Sequence, residues 1–141
     1  MSSQVRVTTY SESIRVLIID PYESDRLYWH RQLTQFSGSY RVMEAESGGI
    51  GLQRLKDHEF DCILLELDLP DMTALEVLTH ISAHLEGHLG VVVFTRHMFL
   101  SLADLALRTG AQLSLFKLVT SIEDVDRAIR MAMRPRVEES I

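Results

Sequence analysis

Asp61-Cys62-Ile63-Leu64-Leu65-Glu66-Leu67-Asp68-Leu69-Pro70 is the stretch that decides the architecture of this chain. The unbroken apolar run from Cys62 to Leu65 has the length and composition of a strand covered on both faces. Glu66 closes the run, and Pro70 stands four positions further on. Strands covered on both faces belong to parallel sheets, which gather ligands and chemistry at the carboxyl ends of their strands. Glu66 sits at such an end.

Working outward, residues 16–19, 40–43, 89–94 and 112–116 read as four more strands around 62–65. Helical patterns separate them. Trp29, Leu33 and Phe36 recur at i, i+4, i+7 after the first strand. Leu52 and Leu55 follow the second, where Gly48, Gly49 and Gly51 weaken the start of the helix. Leu75, Leu78, Ile81 and Leu85 mark the third. In the last, Ser121 is an N-cap with Asp124 three residues on, and Ile122, Val125, Ile129 and Met133 make one apolar stripe before Pro135. Strands alternating with helices across short loops imply an α/β fold with a doubly wound parallel sheet. Residues 1–13 are expected to be a flexible N-terminal segment, 14–134 the folded domain, and 135–141 a tail.

The chain's 141 residues suit one domain. Fourteen basic and twenty acidic side chains give a formal charge of −6 without a basic stripe, which argues against direct nucleic-acid binding. Cys62 is the one cysteine and lies inside a strand, so it is expected to pack as a small hydrophobe. Residues 1–13 lack the apolar core of a signal peptide, and no run reaches the ~18 apolar residues of a membrane span. The expected location is the cytoplasm.

Four polar residues fall at strand ends: Asp20, Glu66, Thr95 and Lys117. With Arg15-Val16-Leu17-Ile18-Ile19-Asp20, Leu69-Pro70, Val91-Val92-Val93-Phe94-Thr95, Gly110-Ala111 and Phe116-Lys117, the chain resembles the receiver domain of bacterial two-component response regulators over residues 14–134. The resemblance implies a flavodoxin-like (β/α)5 fold with strand order 2-1-3-4-5. It also implies phosphoryl transfer from a kinase histidine to an aspartate at position 66, with Mg²⁺ held by that aspartate, an acidic pair after the first strand and a backbone carbonyl. Asp20 maps onto the first acid of the pair, Asp68 onto the carbonyl donor, and Thr95 and Lys117 onto the hydroxyl and lysine that bind the new phosphate.

Five positions break that pattern: Pro21, Glu66, Arg96, Ser114 and Leu118. Pro21 replaces the second acid, and Mg²⁺ wants near-octahedral oxygen ligands, so no metal is expected at Asp20, Glu66 and Asp68. Glu66 replaces the phosphoacceptor and carries its carboxylate about 1.5 Å too far, one C–C bond. A displacement of ~1 Å costs in-line chemistry about 100-fold. Arg96 replaces a small residue and is long enough to cover the pocket. Ser114 removes the aromatic switch, and Leu118 stands where the family often has proline.

The expected function is therefore an atypical receiver domain, not an enzyme and without catalytic residues or cofactor, that signals through protein contacts without phosphorylation. Glu66, bonded to Thr95 and Lys117, would imitate part of a phosphoaspartate or simply pair with Lys117 or Arg96. The alternatives are a working receiver that takes Mg²⁺ and phosphate despite the substitutions, and a small α/β enzyme using the acidic rim. Asp68 as a substitute acceptor is disfavoured. His80, His84 and His88 have metal-like spacing, but their plain reading is a solvated face. The segment from Arg96 to Leu102 opening the fourth helix holds more apolar residues than one buried face uses. Met98, Phe99 and Leu102 are the expected contact patch for a protein partner. That partner would be a histidine kinase, a downstream regulator or a second copy, docking on the face of the fourth helix, fifth strand and fifth helix.

Overall fold

The computed structural model describes residues 4–8, 13–84, 89–97, 100–133 and 136–140. The elements are β1 (Gln4–Thr8), β2 (Ile14–Ile19), α1 (Glu23–Phe36), β3 (Tyr40–Ala45), α2 (Gly48–Asp57), β4 (Cys62–Leu65), α3 (Ala74–His84), β5 (Gly90–Thr95), α4 (Leu100–Thr109), β6 (Leu113–Phe116), α5 (Ile122–Ala132) and β7 (Arg136–Ser140). A short 3-10 turn, Lys117–Val119, follows β6. Five strands form one parallel sheet in the order β3-β2-β4-β5-β6, which is 2-1-3-4-5 when counted within that sheet.

Alternation along the strands divides the core into two layers. Leu17, Ile19, Ile63, Leu65, Val91 and Val93 face α2, α3 and α4, meeting Val77, Leu78, Ile81 and Ala106. Val16, Ile18, Leu64, Val92 and Phe94 face α1 and α5, meeting Trp29, Leu33, Val125 and Ile129. Each such side chain contributes about 1.5–3 kcal/mol on burial, so the two layers dominate the stability of the sheet. Ser121 and Asp124 form the reciprocal capping box at the start of α5 that the sequence signals. The glycines of α2 have a packing reason. A Cβ at Gly51 would come within 2.5 Å of Ile19, so the small residue lets the helix lie close on β2.

Some expectations are corrected. Phe36 ends α1 and is exposed, because the last turn reaches past the layer that covers Trp29 and Leu33. Helix α4 begins at Leu100, leaving Arg96 and His97 in the loop before it. Met98, Phe99, Leu85 and His88 lie outside the described residues. Outside the five-stranded sheet, β1 pairs antiparallel with β7, with Val7 opposite Val137.

Candidate functional site

Strand register assembles the site. Ile19 pairs with Leu65, so Asp20 and Glu66 emerge side by side, while Thr95 pairs with Phe116 and puts Lys117 just beyond. Glu66 N–H donates to Ile19 O at 2.9 Å and Asp20 N–H to Ala45 O at 2.9 Å, which fixes both backbones at the rim. All four rim residues are buried, Glu66 to 1% exposure.

The Glu66 carboxylate is saturated by donors. Its Oε2 accepts from the Thr95 hydroxyl at 2.6 Å and from the Asp68 N–H at 3.1 Å. Its Oε1 accepts from the Arg96 N–H at 3.0 Å and from Lys117 Nζ at 2.9 Å. Lys117 also pairs with Asp20 Oδ2 and, at 3.1 Å, with Asp25 Oδ2. Burial works against the ammonium, but the Asp20 and Glu66 carboxylates outweigh it and hold the Lys117 pKa above its ordinary value. Burial likewise raises the Asp25 carboxyl, yet Arg96 and Lys117 more than offset that and leave it below the usual range.

The acids do not suit Mg²⁺. Pro21 brings no carboxylate, Asp20 Oδ1 accepts the Tyr22 N–H at 2.9 Å, and Asp20 Oδ2 and Glu66 Oε1 face Lys117. Asp68 does not enter this cluster through its side chain. Exposed to solvent, its carboxylate accepts the Tyr22 hydroxyl, while its N–H serves Glu66. That bond to Asp68 is the main reason the Tyr22 phenol is pushed up to about 12.

Two participants, Tyr22 and Asp25, have no counterpart in the strand-end logic. Asp25 lies in the first turn of α1, directly after the β2 end. Adjacency to Asp20 was the available signal for it. Arg96 points its guanidinium at Asp25, with Nε 3.1 Å from Oδ2, and stacks over Tyr22 with Cζ 3.7 Å from the ring centroid. It meets Glu66 only through its backbone. Arg26 braces the rim from behind, donating to Asp20 O at 2.9 Å and pairing with Glu44 at 2.8 Å.

Other expected residues lie elsewhere. Ser114 is half-buried on β6, and Leu118 is exposed after the sheet. Leu102 is exposed on α4 and, with Leu67, Leu69, Met72 and Leu75, lines a cleft of about 170 Å³ beside Asp68. His80 sits on the exposed face of α3 with Nδ1 3.0 Å from Glu76 O. No helix among the described residues is long and apolar enough to cross a membrane.

A doubly wound parallel sheet with acids and a lysine converging at its carboxyl edge defines a receiver-type signalling domain. The profile of the response regulator receiver domain matches residues 16–130, and the chain belongs to that family, the signalling module of two-component systems. It is 30% identical over 82 residues to a probable cyclic di-GMP phosphodiesterase of Vibrio cholerae, covering 57% of this chain and 18% of that protein. The chain spans less than a quarter of the length of the curated relatives it matches. Among solved structures it resembles a response regulator receiver domain protein from Clostridium thermocellum, at 24% identity and TM-score 0.75 over 84% of this chain and 93% of that one. It also resembles the response regulator TrrA from Thermotoga maritima, solved in complex with Mg²⁺-BeF, at 19% identity and TM-score 0.73 over 85% and 99% of the two chains.

Proposed function

We propose that this receiver domain signals without being phosphorylated, as a constitutive protein-contact module of a cytoplasmic two-component pathway. One observation carries the proposal: a hydroxyl, two backbone amides and an ammonium all aim at the Glu66 carboxylate. Donors converging in this way make an anion receptor, and here the anion is part of the chain. Glutamate imitates a phosphorylated acceptor only in part. It brings one charge and two oxygens, against about −1.5 to −2 charges and three oxygens for a phosphate monoester. Lys117 takes the place of a metal cation among Asp20, Asp25 and Glu66.

With Ser114 in the place of an aromatic switch, the surface built by α4, β6 and α5 is held in one state. Leu100 on α4 and Leu118 and Val119 after β6 are exposed and supply an apolar contact area, while Leu102 opens on the other side of α4, towards Leu67 and Leu75. A protein meets that face, either a second copy of the chain or another pathway component. The test is incubation with acetyl phosphate and Mg²⁺ followed by intact-mass measurement. The mass stays unchanged; a gain of one phosphoryl group overturns the proposal.

A further inference from the structure

Resting on that reading, we propose that Tyr22 and Arg96 form a tethered cover over the acidic cluster, and that this cover bars phosphodonors and cations even where the acceptor chemistry is restored. Arg96 is held twice, by its stack on the Tyr22 ring at 3.7 Å and by the 3.1 Å bond of Nε to Asp25. Tyr22 is held three times. Its N–H donates to Asp20 Oδ1 at 2.9 Å, its hydroxyl donates to Asp68, and that hydroxyl lies 3.3 Å from His97 Nε2. The inner end of the assembly is Lys117, whose Nζ shares Asp25 Oδ2 with Arg96 and lies 5.6 Å from the Tyr22 ring.

Taken singly, a partly exposed stack or ion pair opens readily. The geometry differs here because the tethers share atoms. Asp25 Oδ2 binds both cations, and the ring that carries Arg96 is pinned at its backbone and at its hydroxyl. Opening the mouth therefore breaks several contacts together. Restoring only the two acids, Pro21→Asp with Glu66→Asp, leaves the tethers of Arg96 to Tyr22 and Asp25 in place.

Amide exchange on the full chain, followed by NMR, tests the cover without any phosphoryl chemistry. The amides of residues 68 and 96 donate to the buried Glu66 carboxylate, beside the Tyr22 and Arg96 side chains, and report on access to it. In Tyr22→Ala/Arg96→Ala these two amides exchange at least about tenfold faster, the loss of one or two such contacts. Those of Leu64 and Val92, inside the sheet, stay unchanged and report an intact fold. Unchanged rates at 68 and 96 overturn the cover.

A second arm uses acetyl phosphate, Mg²⁺ and intact mass on Pro21→Asp/Glu66→Asp with and without the two alanine substitutions. Phosphoryl gain at least about tenfold faster in the uncovered variant supports the cover, by the same contact count. Equal, measurable rates overturn it. Where neither variant gains mass, the exchange rates decide. A mass gain in the wild-type chain sinks the phosphorylation-independent function and is a separate result.

Discussion

Glu66 and Lys117 form an ion pair 2.9 Å long whose side chains are 0% and 5% exposed. A buried pair seldom adds much net stability, but removing one partner strands the other charge, at a cost of about 3–5 kcal/mol. Lys117→Met leaves the carboxylates of Asp20, Asp25 and Glu66 facing one another. Urea unfolding should show a loss of about 3–5 kcal/mol. Glu66→Gln is nearly isosteric yet also harmful, since each Glu66 oxygen accepts two donors and an amide NH₂ must confront one of those sets. The expected loss is at least about 2 kcal/mol. A Gln variant as stable as wild type would mean that the donors do not converge on residue 66.

Packing at glycines separates two predictions of opposite sign. A Cβ at Gly90 would lie 2.5 Å from the backbone oxygen of Ala132, which a side-chain rotation cannot relieve. Gly90→Ala forces α5 away from β5 and costs about 1–3 kcal/mol. At Gly38 nothing lies within 4 Å and φ is not positive, so Gly38→Ala gains about 0.4–1 kcal/mol by restricting the unfolded chain. Melting temperatures of the two variants should fall on either side of wild type.

Asp71 gives the fold an acid-sensitive clamp. Its carboxylate accepts the Gly49 N–H at 2.8 Å and the Gly48 N–H at 2.9 Å, at the N-terminus of α2, and these bonds hold its pKa below the usual range. A depressed carboxyl takes up its proton more readily in the unfolded chain, where the value is about 3.9. Its stabilisation is therefore complete above that value and is lost as pH falls through the lower folded one. Asp71→Asn should melt below wild type at pH 6, with the gap closing towards pH 2. A gap that stays constant across that range would show that the charge on Asp71 contributes nothing.

Much of the fold was legible in the apolar run at 62–65 and its counterparts, because short apolar runs alternating with helical patterns fit the strands of a parallel sheet. The rim was legible for the same reason, since parallel strands end together and carry Asp20, Glu66, Thr95 and Lys117 to one edge. Asp25 and Tyr22 were not. Their place depends on how α1 leaves the β2 end, and neither residue belongs to a strand or an apolar pattern. The pairing of β1 with β7 joins the two ends of the chain, and local sequence carries little information about so distant a partner. Arg96 stood out in the sequence as a long side chain at the rim, but its anchors, Asp25 and Tyr22, did not, and it touches Glu66 only by its N–H.

Leu118 and Val119 are each 77% exposed, side by side just after Lys117. Consecutive apolar residues held that far into solvent gain nothing for the folded monomer, so substituting them should shift its stability by no more than about 0.5 kcal/mol. Burying them against a second copy would recover about 25 cal/mol per Å² of apolar area. Sedimentation velocity should therefore show the wild-type chain dimerising with concentration, and Leu118→Asp remaining monomeric with an unchanged melting temperature. Equal association of the two chains would move the contact away from this turn. A monomeric wild type would count against a second copy as the partner at this turn and leave a protein of different sequence to be tested there.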